Sequence, residues 1–235
     1  MRSITIFNWF LIVAALLSAC NKANNAVVAS ISNKPVILDI DSAATYKITI
    51  EGTWQMPQHT VPAGNHFTNF IGMIHDSSTA VFTMGKPATL GVENIAEVGN
   101  ATELFKEINN KIIAEKAAGI FNVVLPSITS TVTTSVNFST KYSLISLVSM
   151  IAPSPDWFIG VQNFNLIQNG KWINDVYVNA FGYDAGTEDR DVFGYNNAAT
   201  LPQQNISYLT PLNASVIANG NSMIAPFIRV RFLKK

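Results

Sequence analysis

Cysteine is almost missing from this sequence: one residue, Cys20, in 235. That excludes an intrachain disulfide framework and a cysteine-rich metal site. Charge is also scarce. Charged residues make up 13% of the chain, where about 25% is usual. Hydrophobic residues make up 48%, which excludes a disordered chain, a solvated charged helix and a coiled coil. Neither sign of charge prevails, since 15 Lys and Arg balance 15 Asp and Glu. Without a basic excess or stripe, no nucleic-acid partner is expected. The Gly-x-Ser-x-Gly elbow and the Gly-x-x-x-x-Gly-Lys-Ser/Thr loop are both absent, and with them the usual hydrolase and nucleotide signatures. Only three histidines occur, His59, His66 and His75. They read as ordered side chains bonded to backbone or a neighbouring acid rather than as a zinc site.

What is present begins with a targeting segment. Arg2 precedes an apolar stretch from Ile4 to Leu17, interrupted by Asn8. It is too short for a membrane span and suits a signal-peptide core. It ends in Leu17-Ser18-Ala19-Cys20, which is similar to a bacterial lipobox. The expectation is a signal peptide over residues 1–19 and a lipid on Cys20, which anchors the chain to membrane. Asn21 favours the outer membrane, placing the protein in the bacterial cell envelope, facing the periplasm or the surface. Residues 20–34 read as a polar, Asn-rich tether. Residues 35–235 read as one domain.

Most of that domain predicts strands. Tyr46–Glu51 alternates apolar and polar residues, as does Pro226–Phe232. Ala80–Met84, Ile120–Leu125, Thr129–Ser139 and Leu144–Ile151 are rich in Val, Ile, Thr and Phe. One helix stands out. Asn100 and Glu103 have capping-box spacing, Leu104, Ile108 and Ile112 make an apolar face, and Gly119 offers a stop. The fold class is all-β: an antiparallel β-sandwich with one or two short accessory helices. Trp54, Trp157 and Trp172 read as core rather than as a sugar-stacking platform.

Two acidic segments carry the candidate chemistry. Asp156 lies in Pro153-Ser154-Pro155-Asp156-Trp157, and Asp184, Glu188 and Asp189 lie in Tyr183–Asp189. The apolar runs between them join through Asn169-Gly170, a strong two-residue hairpin signal. With that turn Asp156 falls opposite Tyr183, so both acidic segments reach the same end of the sheet. Asp156, Asp184 and Glu188, with Gly186 allowing a tight turn, could hold a hard cation such as calcium, which takes about 6–8 oxygen ligands. The same residues could equally be solvated acidic turns.

At these residues the sequence resembles the spondin N-terminal domain family. The motifs are Pro153–Trp157 with Gly160 and Asp184–Glu188, together with His66–His75, Leu90–Gly99 and Pro202–Ile206. The resemblance runs from about Ile48 to Thr210. It implies a β-sandwich related in shape to calcium-dependent lipid-binding domains, and a calcium site built from Asp156, Asp184 and Glu188. Glu188 departs from the animal domains, which have Asp there, and Asp189 is the alternative third ligand. The functional expectation is a lipid-anchored binding or adhesion module that is not an enzyme. Calcium would present charge to an anionic lipid, a glycan or a protein ligand. The alternative is an envelope enzyme acting on glycans through acids such as Glu93 or Asp184; Glu97 and Asp76 are further carboxylates for it.

Overall fold

The computed structural model describes residues 40–235. The signal peptide, Cys20, the tether and the expected domain start at residue 35 lie outside the described residues. The elements are β1 (Ala43–Gly52), β2 (His66–Phe67), β3 (Phe70–His75), α1 (Leu90–Val98), α2 (Thr102–Ile113), β4 (Ala117–Val123), β5 (Thr131–Ser139) and β6 (Leu144–Ala152). They continue with β7 (Trp157–Asn165), β8 (Ile167–Gln168), β9 (Lys171–Trp172), β10 (Asp175–Asp184), β11 (Ser207–Tyr208), α3 (Ser215–Ala218) and β12 (Ile228–Lys234). The architecture is all-β and antiparallel. One sheet runs β4-β3-β6-β7-β10-β12-β1-β5, with β2 on β6 and β11 on β10. Among the described residues, no helix is long and apolar enough to cross a membrane.

The alternation read in β1 is real: Tyr46, Ile48 and Ile50 are buried. They share one core with Ile228, Val230 and Phe232 of β12, with Ile145 and Leu147 of β6, and with Trp157 and Ile159 of β7. Strands distant in the sheet order thus meet across a common interior, because the sheet curls on itself as twisted sheets do. The opposite face of β3, β6 and β7 is covered as well. Ile71, Met73, Val148 and Phe158 pack there against Val92, Ile95, Leu104 and Ile108 of α1 and α2. This explains why β6 is apolar on both faces. Eight consecutive residues, Ile145–Ala152, are buried, and burial of each large apolar side chain contributes about 1.5–3 kcal/mol. Trp54, Trp157 and Trp172 are core residues, as expected.

Three expectations need correction. Ala80–Met84 is not a strand. Val81 and Phe82 are buried in the helix-side core, with the Phe82 ring against Phe158 and Tyr183; their apolar character reflects packing without a ladder. The helix following Asn100 begins one residue later than read, with Ala101 at the cap position. Asn100 Oδ1 accepts from Thr102 N at 3.0 Å, but Glu103 pairs with Lys106 and closes no box. The helix stops at Ala114, followed by Glu115 at φ 54°, and Gly119 sits inside β4. Helix α1 was not predicted as a helix. Its signals are Thr89, whose hydroxyl accepts from Val92 N, and Gly99 in the left-handed region.

Gly72 of β3 shows how closely neighbouring strands approach, since it pairs with Leu147 of β6. A Cβ there would lie 1.9 Å from the Ser146 carbonyl oxygen and 2.7 Å from Leu147 Cα. Gly119 has nothing within 4 Å of that position. Gly72→Ala is expected to destabilise by at least about 3 kcal/mol, the upper end for overpacking a core, and Gly119→Ala to leave stability nearly unchanged. Denaturant melts of the two variants check both.

Candidate functional site

The acidic segments meet because the Asn169-Gly170 turn forms as read. Gln168 pairs with Lys171 and Ile167 with Trp172, and both turn residues take positive φ. Beyond the turn the register slips. Trp157 pairs with Asp184 and Phe158 with Tyr183, so Asp156 lies beside Ala185 rather than Tyr183, and its carbonyl accepts from Ala185 N at 3.1 Å. The cause lies in the strands' partners. β10 pairs with β12 over Asp175–Ala180 and joins β7 only from Phe181 on, while Asn163 kinks β7 at φ 50°. The slip is by two residues, so each side chain keeps its face.

Asp156 is fully buried. Its Oδ2 accepts from Thr187 N at 2.7 Å, Glu188 N at 3.1 Å and Thr187 Oγ1 at 3.2 Å. Its Oδ1 has no hydrogen-bond partner. Burial pushes this carboxyl up, against the pull of those donors. Asp184 Oδ1 accepts from Gly186 N at 2.7 Å. Burial first, then the negative charges of Asp156 and Asp189, push Asp184 up to about 7. Glu188 is raised by burial and by Asp156, and accepts from Asn197 Nδ2 at 3.3 Å. Asp189 Oδ1 accepts from Thr200 Oγ1 at 2.6 Å.

The loop is held from outside. Gln204 N donates to Gly186 O, Thr200 N to Thr187 O, and Asp189 N to Ala198 O, each at 2.8 Å. Gly186 has φ +73°, and a Cβ there would meet the Gln204 carbonyl oxygen at 2.6 Å. Only glycine satisfies both demands. Asp184, Gly186, Glu188, Asp189, Thr200 and Gln204 border a cavity of about 220 Å³. Arg190 and Asp191 border it too, with Asp191 already accepting from Ser215 N and Val216 N at the start of α3.

Among the described residues, no three His, Cys, Asp or Glu side chains already converge as a metal cage. The donor chemistry still suits a hard cation. A buried oxygen of Asp156 lacks a partner, and burial first, with repulsion second, raises the neighbouring carboxyls. Carbonyls and water would complete the shell. Glu97 of α1 was not counted with this cluster. Burial, and the charges of Glu188, Glu93 and Asp156, raise it too. It was missed because α1 was not read as a helix packed on the site. Asp76 stays apart, accepting from Ser78 N and Oγ in its own turn. The histidines are separate: His59 bonds Ala225 O, His66 bonds Gly64 O, and His75 bonds Asp76 O and Ser146 Oγ.

The raised carboxyl of Asp184 contributes stability that is complete below its unfolded pKa near 4. That contribution is lost as pH rises through about 7. Buried His59 and His75, lowered by desolvation, act in the opposite sense and lose stability as pH falls below about 6.5. Comparison with Asp184→Asn isolates the first effect. In chelator the variant is expected to melt higher than the parent at pH 8 and to lose that advantage by pH 5, as calorimetry in the two buffers would show.

Comparison with known proteins places the chain in a family. The Spondin_N family model matches residues 44–220. Spondin-2 of Rattus norvegicus is 30% identical over 207 residues, covering 81% of this chain and 62% of that protein. Spondin-2 of Homo sapiens is 31% identical over 186 residues, covering 75% of this chain and 56% of that protein. Spondin-1 of Homo sapiens is 28% identical over 195 residues, covering 78% and 24%. The chain therefore spans less than two thirds of the length of these relatives. With the family model matching most of its length, this chain belongs to the spondin N-terminal domain family.

Proposed function

We propose that the protein is a non-catalytic binding and adhesion module, held on the bacterial cell envelope by a lipid on Cys20, with a calcium ion at its acidic loop. Asp156, Asp184 and Glu188 would hold the ion, with Asp189 as the adjoining carboxylate. Calcium would neutralise the crowded carboxylates and present positive charge to an anionic lipid, glycan or protein carboxylate. The observation that carries this reading is the buried, unpartnered Oδ1 of Asp156. A buried carboxylate oxygen without a donor is costly, and a cation bound there would remove that cost.

The test is calcium titration by calorimetry on chelator-stripped protein, with a melting curve at each end point. At a hundredfold excess over Kd, calcium is expected to add about 2.7 kcal/mol and to raise Tm by roughly 5–11 °C. Asp156→Asn should abolish both responses. A folded protein showing neither heat nor Tm shift would remove calcium from the reading and leave ordinary acidic turns. Anchoring is tested separately. Cys20→Ser should eliminate palmitate labelling and release the protein from the membrane fraction.

A further inference from the structure

A second cavity, of about 400 Å³, opens where β1 leaves the sheet, and it shares no lining residue with the acidic cavity. Glu51, Thr53, Gln55, Gln58, Asn179 and Arg229 border it. Its size falls within the usual range for small-molecule sites.

Its walls are fixed. Thr53 N donates to Phe227 O and Thr53 Oγ1 to Pro226 O, both at 2.8 Å. Trp54, buried in the core, donates from Nε1 to Thr60 O at 3.0 Å. Asn219 and Asn221 hold the Pro57 carbonyl at 2.8 and 3.0 Å. Arg229 donates from Nε and Nη2 to Glu51 Oε2 at 3.1 and 2.7 Å, and its guanidinium lies 5.1 Å from the Tyr177 ring centre. The side-chain amides of Gln55, Gln58 and Asn179, by contrast, make no hydrogen bond among the described residues. Gln55, Gln58 and Asn179 are exposed, so a rigid frame carries three solvated amides that are free to turn towards a ligand.

The lining decides the ligand class. Each amide offers one acceptor and two donors. Neighbouring hydroxyls of a sugar ring each donate and accept, so they match such a set. The Glu51–Arg229 pair cancels its own charge, which disfavours an anion or a cation. Ala225 and Pro226 complete the lining, and the amides and ion pair around them disfavour an acyl chain, whose burial would strip those groups of water. We propose that this cavity binds a neutral saccharide through Gln55, Gln58 and Asn179, independently of the acidic loop.

The test uses a panel of fluorescently labelled neutral oligosaccharides of glucose, galactose, mannose and N-acetylglucosamine, with sulfated counterparts, titrated against the purified protein. At least one neutral member is expected to bind more tightly than its sulfated form. Gln58→Ala and Asn179→Ala should each weaken it about five- to tenfold, as loss of one hydrogen bond does, with Tm unchanged. Asn179→Trp, which fills the cavity, should abolish binding. Asp184→Asn should leave binding intact, so this site and the calcium reading succeed or fail separately. The proposal is overturned if no neutral saccharide binds, if sulfated forms bind better, or if the cavity variants bind as the parent does.

Discussion

The acidic loop end depends on one buried carboxylate. Asp156 has left water entirely, and three donors from Thr187 and Glu188 converge on one of its oxygens. That fan of bonds sets the path of the chain after Asp184, because two of the donors are backbone amides. Truncating such an acceptor would leave buried N–H groups unpaired, which is costly. The second oxygen receives nothing, so the carboxylate is satisfied on one side only. The elevated affinity of Asp184, Glu188 and Glu97 for protons follows first from their own burial and then from the charges beside them, Asp156 among these.

The layers explain how such a residue comes to be buried. β7 and β6 form the partition between two cores. One lies inside the curl of the sheet, and the other lies beneath α1 and α2. Trp157 points to the first and Phe158 to the second, so the residue just before them starts from a strand already enclosed. α1 then brings Glu97 towards the same loop from the helix side, as their mutual charge effects record. Sheet, helix and loop therefore share a single electrostatic neighbourhood.

Much of this was legible in the residues. Period-two alternation identified β1 and β12, and the Asn169-Gly170 turn brought Asp156 and Asp184 to one end. What escaped notice had physical causes. Local spacing fixes a turn but not what happens several residues beyond it, where β10 passes from β12 to β7 and the pairing slips. Ala80–Met84 is as apolar as a strand because a ring must fill the space above Gly160. α1 escaped because its apolar face and its glycine stop were absorbed into a family motif. The amide-lined cavity carries no motif at all, since Gln55, Gln58 and Asn179 come together only through tertiary closure.

The placement of β12 between β10 and β1 has a consequence for biogenesis. Tyr46 pairs with Lys234, and Gly52 with Ile228, so an early strand has one of its neighbours only when nearly the whole domain has been synthesised. Until then β1 has β5 alone, and the curl of the sheet stays open. The interior cannot close before β12 is available to pair with both β1 and β10. Before that strand arrives, β1 and β10 each expose an unpaired edge and the apolar interior lies open, the kind of state that chaperones hold and a translocation channel can thread.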